Sequence, residues 1–181
     1  MTVIRTRPRI RPIDSLRPAR PSPQGPMVQV RLYTAHNVIT GTLRLAFNRL
    51  SDHLNFGPPI LELGQAELFR LDNPKVHRAQ RLAYVQRDAI MLALDRRSTD
   101  YAASSPDLHE TKEAHTITAD LNHFVITGTL HLRHGADLGA WLLEGQQFAP
   151  LTAVSIYGDG SQPITEPVAI INRESLGALL E

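Results

Sequence analysis

The chain has 181 residues, 42% of them hydrophobic, and a formal net charge of +1, enough apolar content for a packed core in one or two domains. It has no cysteine, which excludes disulfides, a thiolate zinc site and a thiol nucleophile and fits a reducing, cytoplasmic setting. No apolar run approaches the roughly 18 residues of a membrane-spanning helix, and the N-terminus lacks the apolar stretch of a secretory signal.

The small net charge hides an asymmetry. Residues 1–26 carry six of the 19 basic residues (Arg5, Arg7, Arg9, Arg11, Arg17 and Arg20) and one of the 18 acidic ones, Asp14. The remainder, with 13 basic against 17 acidic residues, is mildly acidic. The same 26 residues hold six of the 13 prolines. Each proline removes a backbone donor and restricts its predecessor, so no helix runs through. The reading is a disordered, partly extended tail. It has no aromatic residue to stack on a base, so contact with nucleic acid or another anionic surface would be electrostatic and salt-sensitive.

From Met27 the pattern alternates. Val28, Val30 and Leu32 recur with period two, which predicts a half-buried strand. His36–Leu45 is a second strand, with Gly41 marking a bend, a bulge or a close backbone approach. Arg49–Asn55 is a helical turn or loop, in which Ser51 or Asp52 caps free backbone donors. Pro59–Leu71 reads as a third strand and Asp72–Gln80 as a polar excursion. Leu82–Leu94, apolar on both sides of Arg87-Asp88, suggests two strands joined by a tight turn.

The segment His36–Leu45 then recurs 87 residues later as His123–Leu132, identical at 8 of 10 positions. Only Asn37/Phe124 and Arg44/His131 differ. The likeness extends beyond that strand. Ile117 stands for Val30, Leu138 and Leu142 for Leu50 and Leu54, and Phe148, Leu151 and Val154 for Ile60, Leu63 and Ala66. Asn172-Arg173-Glu174 stands for Gln86-Arg87-Asp88. A repeat of this length indicates one module used twice. The organisation is a tail (1–26), a first repeat (27–95), a polar linker (96–114) and a second repeat (115–181). An open sheet of such size exposes its edges around a marginal core, so the expectation is mainly β: two small, strongly bent β-barrels, each with a short helical turn. Their edges are candidates for pairing between chains.

The order of signals resembles the Sm-like fold. The residues that carry the likeness are Val28-x-Val30-x-Leu32, Gly41-x-Leu43, Asp52-His53-Leu54-Asn55, Leu63-x-x-Ala66-Glu67 and Val85-Gln86-Arg87-Asp88-Ala89-Ile90. The likeness covers most of 27–95 and, more loosely, 115–181. In RNA-binding members the aspartate, asparagine and arginine form a base pocket, which implies Asp52, Asn55 and Arg87 as ligand-binding residues here. The chain departs from the pattern where Asp88 and Glu174 replace the glycine that usually follows the arginine. It is also similar to bacterial domains carrying Arg-Leu-Ser-Asp-x-Leu-Asn after a strand, here Arg49–Asn55, a likeness that implies no activity.

No motif for catalysis or metal binding emerges. The three consecutive side chains of Ser51-Asp52-His53 diverge, whereas a triad needs convergence from separate segments. His131-x-x-His134 does not share a strand face, and His109, Glu110 and His115 lack zinc-protease spacing. His36 and His123, at equivalent strand entrances, read as structural, and Trp141 as filling a seam between the barrels. Gly158-Asp159-Gly160 is a turn. The functional expectation is a non-enzymatic interaction or scaffold module that needs no cofactor and no metal, and that self-associates or binds a protein partner. The alternative is RNA or single-stranded nucleic-acid binding through Asp52, Asn55, Arg87 and the basic tail.

Overall fold

The computed structural model describes residues 25–73, 75–97, 112–158 and 162–181. The tail arginines, most of the 96–114 stretch and the turn residues Asp159-Gly160 lie outside the described residues. The protein is mainly β. The first half contains β1 (Met27–Tyr33), β2 (Asn37–Arg44), helix α1 (Leu50–Phe56), β3 (Ile60–Arg70), β4 (His77–Gln86) and β5 (Leu92–Asp95). The second contains β6 (Lys112–Leu121), β7 (Phe124–Arg133), helix α2 (Leu138–Glu144), β8 (Phe148–Gly158), β9 (Ile164–Asn172) and β10 (Ala178–Leu180). A single 3₁₀ turn, Arg87–Ala89 or Arg173–Ser175, precedes the last strand of each half.

All strands join one antiparallel sheet in the order β10-β6-β7-β8-β9-β5-β1-β2-β3-β4. The two halves therefore follow the same pairing order, fifth strand beside first. In place of two separately closed barrels, the sheet is open. β5 pairs not only with β1 but also with β9 of the other half, at Leu92↔Ile171 and Ala93↔Ile170. Among the described residues, β4 and β10 are the outer strands.

Period-two burial explains β1, where Val28, Val30 and Leu32 are buried and face one core. β4 begins inside the stretch expected to be a polar excursion. Its first residues, His77–Arg81, are all exposed, because an outer strand has little to pack against and no need of an apolar alternation. Likewise β6 starts at Lys112, within the expected linker.

Both halves bend at the same place. The β2–β3 register shifts between Thr40 and Thr42, and the β7–β8 register between Thr127 and Thr129. Opposite these bulges, Gln65 and Ala153 adopt left-handed φ values of 49° and 51°. Gly41 lets the strands meet there. A Cβ on it would lie 3.0 Å from the Gly64 carbonyl oxygen and 3.3 Å from Leu63 Cβ.

Two cores result, and each borrows from the other half. The first contains Val28, Leu32, Leu54 and Leu63 but also Phe148 and Ile170. The second contains Ile117, Ile126, Trp141 and Leu151 but also Tyr33, Met91, Leu92 and Leu94. Tyr33 meets Phe124 edge to face at 5.1 Å between ring centres. Trp141 lies within the second core.

Because no side chain fits at the β2 bend without moving β3, Gly41→Val is expected to cost about 1–3 kcal/mol. The check is a lower urea midpoint at unchanged slope.

Candidate functional site

Helix α1 carries two of the three residues expected to bind a ligand. Leu50, His53 and Leu54 turn its apolar side into the first core, which leaves Ser51, Asp52 and Asn55 half-buried toward the surface. No side-chain hydrogen bond caps its N-terminus at Arg49, whereas Asp137 caps α2 by accepting from Ala140 N at 2.7 Å.

Asn55 faces the second half of the chain. Its Nδ2 donates to Phe148 O at 2.8 Å, and its Oδ1 accepts from Phe148 N at 3.0 Å. Nδ2 also lies 3.0 Å from Ser51 O and 3.3 Å from Gln146 Oε1. One amide thus satisfies both backbone groups of the first residue of β8, as a neighbouring strand would. Arg87 donates from its Nη1 to the Gly57 carbonyl at the end of α1 and from Nε to Asp88, each at 3.3 Å. Asp52 sits in the first turn of the same helix. Among the described residues, no hydrogen bond or ion pair joins Asp52, Asn55 and Arg87 to one another. Asn55 and Arg87 hold protein backbone, around α1 and across to β8.

A residue that the sequence did not mark as part of this region is Asn172, which is buried. Its Nδ2 donates to Ile90 O at 2.8 Å, its backbone N–H to Met91 O at 2.8 Å, and its Oδ1 accepts from Glu174 N at 3.0 Å. Beyond the other end of the β5–β9 contact, Arg96 and Glu166 form an ion pair at 2.5 Å. The only sequence signal for Asn172 was a polar residue closing an apolar run.

His53 is buried at 3% exposure. Its Nδ1 accepts from Ala46 N at 2.8 Å, and its buried Nε2 has no hydrogen-bond partner. Burial holds its pKa below the ordinary histidine value, and protonating Nδ1 would break the bond to Ala46. The histidine is a neutral core residue fastening the loop before α1.

His36 and His123, read as structural residues at equivalent strand entrances, come together at the surface. Both are exposed and line one cavity of about 340 Å³, together with Asp72 and Phe124. His131 and His134 go to different partners, Thr152 and Glu113. Among the described residues no group of three or more His, Asp or Glu is arranged to hold a metal ion, and no helix is long and apolar enough to cross a membrane. No family model, curated protein or solved structure matches the chain.

Truncating Asn55 leaves the Phe148 backbone groups unpaired in a half-buried seam. Asn55→Ala should therefore lower unfolding stability by about 1–3 kcal/mol, measured by urea denaturation. Wild-type stability after that substitution would show that the amide has another role.

His53 generates a pH effect of definite sign. Its folded pKa is lowered, so the unfolded chain takes up the proton first as pH falls below about 6.5. The stability it contributes is complete above that value and is lost progressively toward the lower folded pKa. Thermal unfolding between pH 7.5 and 5.5 should show a smaller drop in Tm for His53→Asn, whose Oδ1 replaces the Nδ1 acceptor without titrating.

Proposed function

We propose that the protein is a non-enzymatic interaction module: a duplicated, Sm-like pair of small β-barrel units, left open where they join, that works through its surfaces. The observation that carries this reading is the pair of outer strands, β4 and β10, with Tyr84 and Leu180 each 66% exposed along them. Outer strands present unpaired N–H and C=O groups, and flanking apolar side chains make them adhesive. The roles of Asn55 and Arg87 within the fold support the same reading, since they take two of the three residues expected to form a base pocket into contacts with protein backbone. The function is self-association or capture of a protein partner, with no cofactor.

The rival reading is single-stranded nucleic-acid binding by Asp52 and Arg87 with help from the tail arginines. The acidic balance of the chain beyond residue 26 disfavours it, because phosphate affinity needs a basic surface.

Sedimentation velocity of the full chain over a wide concentration range tests the proposal. Species heavier than the monomer should grow with concentration and persist in high salt. A strict monomer that binds labelled single-stranded RNA at low salt would reverse the choice.

A further inference from the structure

The two outer strands differ in what they offer. β10 is three residues long and uncharged, whereas β4 runs for ten, His77–Gln86. His77–Leu82, Tyr84 and Gln86 are all exposed. Among the described residues nothing pairs with the outer side of β4. Its free backbone N–H and C=O groups therefore repeat at the spacing of a peptide strand.

Charge is sorted onto this strand. Beyond residue 26 the chain has 13 basic and 17 acidic residues, yet residues 75–86 hold three of the basic ones, Lys75, Arg78 and Arg81, and none of the acidic. Elsewhere arginines are committed: Arg70, Arg96 and Arg97 are held by Asp72, Glu166 and Asp95. Among the described residues no carboxylate holds Arg78 or Arg81, although Glu67 lies in the adjoining β3, opposite Ala79.

Charge of one sign decides which strand is admitted. A basic strand laid alongside would set like charge against like, and cross-strand pairs of that kind are destabilising. An acidic strand meets two cations that no carboxylate of the fold neutralises. Leu82 and Tyr84, exposed on the same strand, supply apolar cover for its other side chains. An open depression of about 470 Å³, lined by Gln65, Ala66, Glu67, Ala79, Gln80 and Arg81, leaves room for a side chain beside Arg81.

We infer that β4 captures an acidic, extended segment of a different protein, which adds itself to the sheet as a further strand. This deepens the interaction-module reading, naming the partner of one edge, and rests on it. Main-chain bonds along β4 hold the segment whatever its sequence, and the arginines select acidic segments over neutral or basic ones. Every strand pair in the sheet is antiparallel, and the added strand continues that order. Carboxylates opposite Arg81 and Arg78 then fall three residues apart in the segment, after apolar residues opposite Tyr84 and Leu82. Lys75, just before β4, extends the positive charge past its far end. Because the cations are exposed, the selection weakens as salt rises.

The test uses the full chain and a fluorescent probe peptide, Thr-Val-Thr-Ile-Glu-Thr-Val-Glu-Thr, whose glutamates fall opposite Arg81 and Arg78 in the antiparallel register. Anisotropy should show saturable binding, about tenfold weaker for the double variant Arg78→Glu with Arg81→Glu. Both arginines are exposed, and unchanged circular dichroism and Tm establish that the variant folds. A probe with lysine for both glutamates should reverse the order and bind the double variant more tightly than the wild type. Only alternate N–H groups of an added strand point at β4. N-methylation of one alternate set of probe residues should therefore abolish binding, and of the other set should not. Indifference to both methylation patterns means charge contact without strand addition and overturns the inference. So does a single-stranded uridine oligonucleotide that binds the same arginines more tightly than the peptide. Loss of concentration-dependent assembly in the double variant would make a second copy the occupant of β4, and overturns it too. If no probe binds while the wild type assembles, this inference fails and the interaction reading stands. A wild type that neither assembles nor binds a probe removes both.

Discussion

The structure depends on a short length of shared strand. β5 and β9 pair in register at only two positions, Leu92↔Ile171 and Ala93↔Ile170, yet alternate residues there serve different cores. Leu92, Leu94 and Ile171 face the second core, while Ala93 and Ile170 face the first. A strand buried on both faces needs apolar residues without interruption, and the two-residue period does the sorting. A slip of one residue would send every one of these side chains to the wrong core. Two backbone pairs are too few to prevent that. The register is instead pinned by Asn172 on the Ile90 and Met91 carbonyls and, beyond the pairing, by the Arg96–Glu166 ion pair.

Asn55 shows how little the presence of a recognition side chain says about what it recognises. A carboxamide offers one face that donates and accepts, which suits a base edge and a peptide group alike. Here it reads the Phe148 peptide groups, across 93 residues of chain. Arg87 does similar work at closer range, on the Gly57 carbonyl. Both are commitments within the fold.

Much of the strand order was legible because one-sided burial writes itself as alternation, as in Val28, Val30 and Leu32. The bend was legible as well, since Gly41 and Gly128 stand in matching strands. The start of β4 was not: His77–Arg81 is exposed throughout, and an outer strand of that kind has the composition of a loop. Nor did the junction show itself. The run Leu92-Ala93-Leu94 announces burial on two faces but not what covers the second, because the covering residues Phe148, Ile170 and Ile171 lie far along the chain. The direction of Asn55 was hidden for the same reason. It depends on where a seven-residue helix docks, and a helix that short takes its place from packing rather than from its own sequence.

The exchange of core residues between halves has a consequence for synthesis. The first core is complete only when Phe148 and Ile170 arrive. A chain emerging N-terminus first therefore holds its first five strands with a gap in their core until nearly the whole second half has been made. Domains that fold as they emerge are protected early from misassembly, and chains that wait expose apolar surface to their neighbours. In this molecule the wait spans more than 70 residues beyond β5, from Asp95 to Ile170. Completion of both cores is thus tied to the arrival of the second half, and the surface left uncovered until then is the flank of β5 that meets β9.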